Sequence, residues 1–283
     1  MLQITLVYQH QKISMQPCRE IFFDHGFGLE PIFGLTIELN TSICYYSCGV
    51  NIMKAVFFDF DGTLTYKSPN IWKEIWKFCG YDTNKLSFFA KLYHDFMNGR
   101  ITHQRWCDLT CLMFIAEGLQ IKDVELISKK LKPIEGLTET LQALKNNGYS
   151  LHIVSGSIDS VIRSVLGDNV KYFDSINANT FIYDEDGYLT YIQGTNYDFE
   201  GKAKFITEYK QLTNSNGKDL IFIGNGDNDE WAHLSGCKTI CINPENTDSS
   251  NTSKWHKCLD NVSNLTDILP LFGDIKLKGS ELS

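Results

Sequence analysis

The chain has 283 residues, 43% hydrophobic and 21% charged with six prolines, which excludes wholesale disorder, collagen and a disulfide-framework mini-protein. With 26 Lys and Arg against 34 Asp and Glu the net charge is −8, which argues against a nucleic-acid partner. A small anionic substrate stays compatible, because one cation or metal in a pocket dominates the local field.

Residues 1–52 show no sustained period of 2 or 3.6 and read as an N-terminal extension, with the patterned domain opening at Met53. No run of 18 apolar residues occurs, so a membrane partner is not expected. Nine cysteines, an odd number without CxxC pairs, fall partly into the spacings Cys44/Cys48, Cys107/Cys111 and Cys237/Cys241. Buried free thiols and a cytoplasmic location are the expectation. The seven histidines form no zinc motif.

Residues 55–60 form a continuous apolar strand that ends in acids. Three amphipathic helices follow: Trp72, Ile75, Trp76 and Cys79; Leu86, Phe89, Ala90, Tyr93 and Met97; Trp106, Leu109, Met113 and Phe114. Their aromatics are expected to fill a core. After Pro133 a helix on Leu137, Leu141 and Leu144 leads to a strand over 151–154, then to Ser155-Gly156-Ser157 and a helix on Ile158, Val161, Ile162 and Val165. Strands over 176–183 and 188–192 meet at Asp-Glu-Asp-Gly, a hairpin signal. A helix on Phe205, Ile206, Tyr209 and Leu212 precedes the strand 220–223, the acidic loop 224–229, a short helix and the strand 239–242. Unbroken apolar strands alternating with helices specify an α/β fold: a mostly parallel sheet covered on both faces, with ligands beyond the carboxyl ends of its strands.

Polar residues cluster at those ends. Asp59 and Asp61, spaced i, i+2, repel unless a cation lies between them or one holds a proton, which suits a nucleophile or metal ligand beside a proton shuttle. Ser155 and Gly156 offer a hydroxyl and backbone N–H groups to an anion, with helix capping as the plain alternative. Lys202 sits where a helix dipole disfavours a cation, so it is there for its charge or as a solvated surface residue. In Gly224-Asn225-Gly226-Asp227-Asn228-Asp229, glycines permit close approach and oxygen ligands suit Mg²⁺, unless the segment is a plain Asx-rich turn.

This ordered set over residues 53–272 resembles the haloacid dehalogenase superfamily, in its phosphoserine-phosphatase-like branch. The resemblance implies a Rossmann-like three-layer αβα core over residues 53–65 and 133–275, with a small helical cap domain over 66–132. It implies a phosphatase that acts on a small phosphorylated metabolite through an aspartyl-phosphate. Asp59 would be the nucleophile and Asp61 the general acid and base. Ser155, Gly156 and Lys202 would hold the phosphoryl group. Mg²⁺ would be bound by Asp59, Asp61 and Asn225, with Asn228 and Asp229 orienting its surroundings. The second acid argues against dehalogenase activity, which has no leaving alkoxide to protonate. A nucleotide-binding module would want GxGxxG after the first strand, where this chain has Asp-Gly-Thr.

Two departures stand out. The family carries Asp where this chain has Asn225, which keeps open a second reading: a weak or inactive relative that binds a ligand or partner. Phosphoserine-cleaving relatives place a Glu soon after the first motif, yet residues 64–71 hold no acid. Lys67, Arg100, His103 and Arg105 are the candidates for holding a different leaving group, with a solvated surface role as the plainer reading of each.

Overall fold

The computed structural model describes residues 53–244 and 254–273, all within one compact unit, Val50–Ser283. The proposed extension 1–52, with Cys44 and Cys48, lies outside the described residues.

A seven-stranded sheet has the order β4-β3-β2-β1-β5-β6-β7. Its strands are β1 (Lys54–Phe58), β2 (Tyr149–Ile158), β3 (Ser175–Tyr183), β4 (Leu189–Gln193), β5 (Leu220–Gly224), β6 (Lys238–Ile242) and β7 (Lys257–Leu259). All neighbours are parallel except the expected β3–β4 hairpin. Alternation along β1 explains the layers. Val56 and Phe58 enter a large apolar cluster with α5 (Leu137–Asn146) and α6 (Asp159–Leu166). Ala55 and Phe57 enter a second cluster with Phe222, Ala232 and Ile206 of α7 (Glu200–Thr213).

Between β1 and α5 lie four helices, α1 (Ile71–Phe78), α2 (Phe88–Met97), α3 (His103–Ala116) and α4 (Ile121–Ser128). Trp72, Trp76, Trp106 and Phe114 are buried there, as their stripes predicted, in the same cluster as one sheet face. Cys107, Cys111, Cys237 and Cys241 are buried free thiols.

Two local expectations are corrected, and two elements were not anticipated. Leu86 is outside α2 and 97% exposed, because the Ser87 hydroxyl accepts from Ala90 N (3.1 Å) and caps a helix that starts at Phe88, two residues later. Strand β2 runs on through Ser155 to Ile158, with a register shift against β3, so Ser155 does not cap a helix. The first unanticipated element is α4, whose start is capped by the Asp123 side chain accepting from Gln120 N (2.9 Å). The last is β7, three residues long and too short to carry a periodic signal.

Candidate active site

Register assembles the centre. Phe58 pairs with Ile153 of β2 on one side and Ile223 of β5 on the other, so the residues just after these strands leave the sheet side by side. Asp59 and Asn225 are among them, while Ser155 lies within β2, two residues beyond the Ile153 pairing. Asp59 N donates to Ile223 O (2.9 Å), which extends the β1–β5 ladder one step and fixes the start of the loop.

Lys202 is the third residue of α7 and wholly buried. Its ammonium donates to Asp59 Oδ1 (2.9 Å) and to Asp229 Oδ1. The other oxygen of Asp229 accepts from the backbone N–H groups of Asn225 (2.8 Å) and Gly226 (3.0 Å). Asp229 thus ties the β5 loop to the lysine, and it too is wholly buried. Gly224 is required here, since a Cβ on it would lie 2.5 Å from Asp229 Cγ. The helix-terminal lysine is therefore held by two carboxylates rather than solvated.

Charges shift one another in this cluster. Burial and the Asp229 charge push the Asp59 carboxyl above the usual carboxylate range, against the pull of Lys202. Burial pulls the Lys202 ammonium down, but Asp229 and Asp59 outweigh it and keep the lysine charged.

Asn225 is buried, and its Oδ1 accepts from Thr63 Oγ1 (3.5 Å). Gly62 lies against the same amide: its φ is +77° and a Cβ on it would fall 2.2 Å from Asn225 Nδ2. Asp61 and Asn225 line one cavity of about 330 Å³, together with Lys67, Ser68, Asn70 and Asn243. The Asp59 carboxylate, the Asp61 backbone carbonyl and the Asn225 amide oxygen are hard donors of the kind Mg²⁺ takes, so these three residues fit such an ion by chemistry and leave the Asp61 carboxyl to proton transfer. Among the described residues no group of three His, Cys, Asp or Glu is placed to hold a metal, so an ion at the strand ends depends on Asn225 or backbone oxygens.

Ser155 is buried, and its Oγ accepts from Ser157 N (3.2 Å). Gly156 O accepts from Trp72 Nε1 of α1 (2.9 Å). Asn228 lies further out, where its Nδ2 donates to Asp198 Oδ1 (3.1 Å). Asp198 escaped the sequence reading. A Cβ on Gly156 would lie 2.7 Å from its Oδ2, so a third acid stands beside the Ser155–Ser157 segment. No local pattern singles it out, since its partner Asn228 lies 30 positions away. Of the leaving-group candidates, Lys67 lines the cavity. Arg100 is engaged by Asp95 (2.9 Å), Arg105 is exposed on α3, and His103 is taken up by Asn179 (2.8 Å).

Comparison with known proteins defines the class. Residues 56–230, more than half of the chain, match the family model of haloacid dehalogenase-like hydrolases, and the chain belongs to that family. Within it the chain is similar to phosphoserine phosphatases. The enzyme of that name from Methanocaldococcus jannaschii is 28% identical over 180 residues, 62% of this chain and 79% of that protein. The one from Archaeoglobus fulgidus is 26% identical over 180 residues, covering 62% of this chain and 48% of that protein. A solved phosphoserine phosphatase carrying a phospho-aspartyl intermediate analogue shares the fold, with TM-score 0.60, 24% identity and coverage of 77% of this chain and 98% of that chain. The chain is thus a hydrolase of phosphatase type with the α/β architecture expected from its motifs. No described helix is long and apolar enough to cross a membrane.

Proposed function

We propose that the protein is a Mg²⁺-dependent phosphatase that hydrolyses a small phosphomonoester through an aspartyl-phosphate. The observation that carries this reading is the Lys202 ammonium 2.9 Å from Asp59, itself anchored by Asp229 to the loop bearing Asn225. A nucleophilic carboxylate beside a fixed cation is what phosphoryl transfer asks of a protein: positioning and compensation of charge.

Asp59 attacks phosphorus, forming the Asp59 O–P bond as the ester P–O bond breaks. Asp61 gives its proton to the departing alkoxide oxygen. It then takes a proton from water, whose oxygen attacks phosphorus and releases inorganic phosphate and the free Asp59 carboxylate. Lys202, Ser155 and the backbone at Gly156 hold the phosphoryl oxygens. Mg²⁺, held by Asp59, Asp61 and Asn225, would lower the repulsion between the carboxylates and the phosphate. Asn228 and Asp229 keep the neighbouring groups oriented, and the helical insert serves as a cap that excludes water from the reacting groups.

The described lining of the cavity beyond Asp61 suits an anionic or hydroxyl-bearing leaving group better than the ammonium of phosphoserine. It offers Lys67 and the amides of Asn70 and Asn243, and Asp61 is its one acid. Purified protein should hydrolyse p-nitrophenyl phosphate with Mg²⁺ and lose turnover in Asp59→Asn. Among natural esters, phosphoglycerate or glycerol phosphate should be cleaved faster than phosphoserine or phosphoethanolamine. Silence of both the wild type and Asn225→Asp in folded protein would instead support a ligand-binding module.

A further inference from the structure

Behind the Ser155–Ser157 segment of β2 lies an amide that the mechanism above does not use. Asn179 of β3 is wholly buried, and all four of its hydrogen-bonding positions are filled. Its Oδ1 accepts from Thr195 N (2.8 Å) and pairs with His103 Nε2 (2.8 Å), and its Nδ2 donates to Gly156 O (2.7 Å) and Ser157 O (3.0 Å). Backbone N–H groups only donate and carbonyls only accept, so the amide has one possible orientation and His103 donates through Nε2.

Three parts of the chain meet at this side chain. They are the end of β2 that carries Ser155, the first residue of α3 in the insert, and the loop from Gly194 that leads to Lys202. A second insert residue, Trp72, donates to the same Gly156 carbonyl. In a trans peptide the carbonyl and the following N–H point in opposite directions. Drawing Gly156 O toward Asn179 therefore turns Ser157 N–H the other way, where it donates to Ser155 Oγ (3.2 Å). An oxygen that accepts there keeps its own proton to give to a phosphoryl oxygen.

We propose that Asn179 is a positioning residue that locks the 156–157 peptide so that Ser155 presents its hydroxyl to phosphate, and that His103 and Trp72 tie this lock to the helical insert. The inference rests on the phosphatase reading. It assigns Asn179 no contact with substrate; its effect passes through that end of β2.

The test is steady-state hydrolysis of p-nitrophenyl phosphate by the full chain with Mg²⁺, with the inhibition constant of inorganic phosphate measured alongside. Asn179→Asp keeps the two acceptor positions and removes both donors. The expected result is a rise of about tenfold or more in both KM and the phosphate inhibition constant, with a smaller change in kcat. His103→Ala should raise the inhibition constant several-fold, and His103→Gln, which retains a donor, should recover most of that loss. A purely structural role would lower the melting temperature and leave phosphate inhibition unchanged. Wild-type inhibition in folded Asn179→Asp overturns the proposal. Should that variant fail to fold, wild-type inhibition in both Trp72→Phe and His103→Ala does so. A wild type with neither turnover nor phosphate inhibition overturns the phosphatase reading, and this inference with it.

Discussion

Asp229→Asn tests how the buried charges are balanced. Asparagine keeps the shape of the side chain and one oxygen for the N–H groups of Asn225 and Gly226, but its amide nitrogen then faces the Lys202 ammonium, donor against donor. Breaking a buried ion pair by removing one partner costs about 3–5 kcal/mol. Asp59 remains as a second partner at 2.9 Å, which places the loss near the lower end, about 3 kcal/mol. For a domain of this size each kcal/mol moves Tm by about 2–4 °C, so a fall of roughly 6–12 °C is expected. Lys202→Met leaves two buried carboxylates without their cation, and should cost a comparable amount even if Asp59 takes up a proton. The double variant removes both charges, so its loss should fall short of the sum of the singles by about 2 kcal/mol or more. Thermal unfolding followed by circular dichroism at pH 7 reads all three. A Tm for Asp229→Asn within about 2 °C of wild type, or strictly additive losses, would refute the reasoning.

Asn225→Asp adds a charge to the oxygen set that faces the cavity beside Asp61, and should lower the Mg²⁺ concentration for half-maximal activity about tenfold. An unchanged activation curve would remove Asn225 from the metal site. His152 gives a prediction about pH. Burial lowers its pKa from 6.5 to about 4: it stacks on Phe57, its Nδ1 meets Ser175 Oγ (2.9 Å), and its Nε2 has no hydrogen-bond partner among the described residues. The unfolded chain therefore binds a proton that the folded chain refuses. This contribution to stability is complete above pH 6.5 and is lost as pH falls toward 4, at most about 3 kcal/mol. Urea unfolding at pH 7 and pH 5 should show the loss in wild type and a smaller one in His152→Leu; equal losses would remove His152 as its source.

The sequence carried the parts of the fold that repeat and missed those held by single contacts. Strand β1 was legible because Ala55 to Phe58 are buried on both faces, which demands an unbroken apolar run. Lys202 stood out because a cation at a helix start contradicts the dipole, and the structure buries it between two carboxylates. The three strand-end motifs could be joined from the sequence because a parallel sheet brings the carboxyl ends of its strands to one edge. Asn179 and Asp198 were not legible. Each acts through partners at distances that no local pattern encodes, His103 lying 76 positions from Asn179 and Asn228 lying 30 from Asp198. The extent of β2 was hidden for a related reason: Ser-Gly-Ser reads as a turn, while pairing between Ile158 and Asn179 keeps the segment extended.

The same division separates chemistry from selectivity. The charge cluster is set by register between β1 and β5 and by the start of α7, away from the neck of the insert. The cavity wall is set by the neck where the insert joins the sheet. There Ile134 N donates to Leu64 O (2.9 Å), Tyr66 N donates to Lys132 O (3.3 Å), and Lys132 N donates to Ser68 Oγ (3.0 Å). Lys67 lies between those tied residues with φ at +50°, a conformation that costs a non-glycine residue about 1 kcal/mol and persists because its neighbours fix it. Ser68 is committed to the neck, so Lys67 is the neck's charged contribution to the cavity wall. A substitution in the neck should therefore change which ester is cleaved while leaving the Asp59–Lys202–Asp229 arrangement intact. Lys67→Glu is the direct case: it should reverse the order of phosphoglycerate and phosphoethanolamine while changing the rate on p-nitrophenyl phosphate less. An order of esters that survives Lys67→Glu would place selectivity elsewhere than the neck.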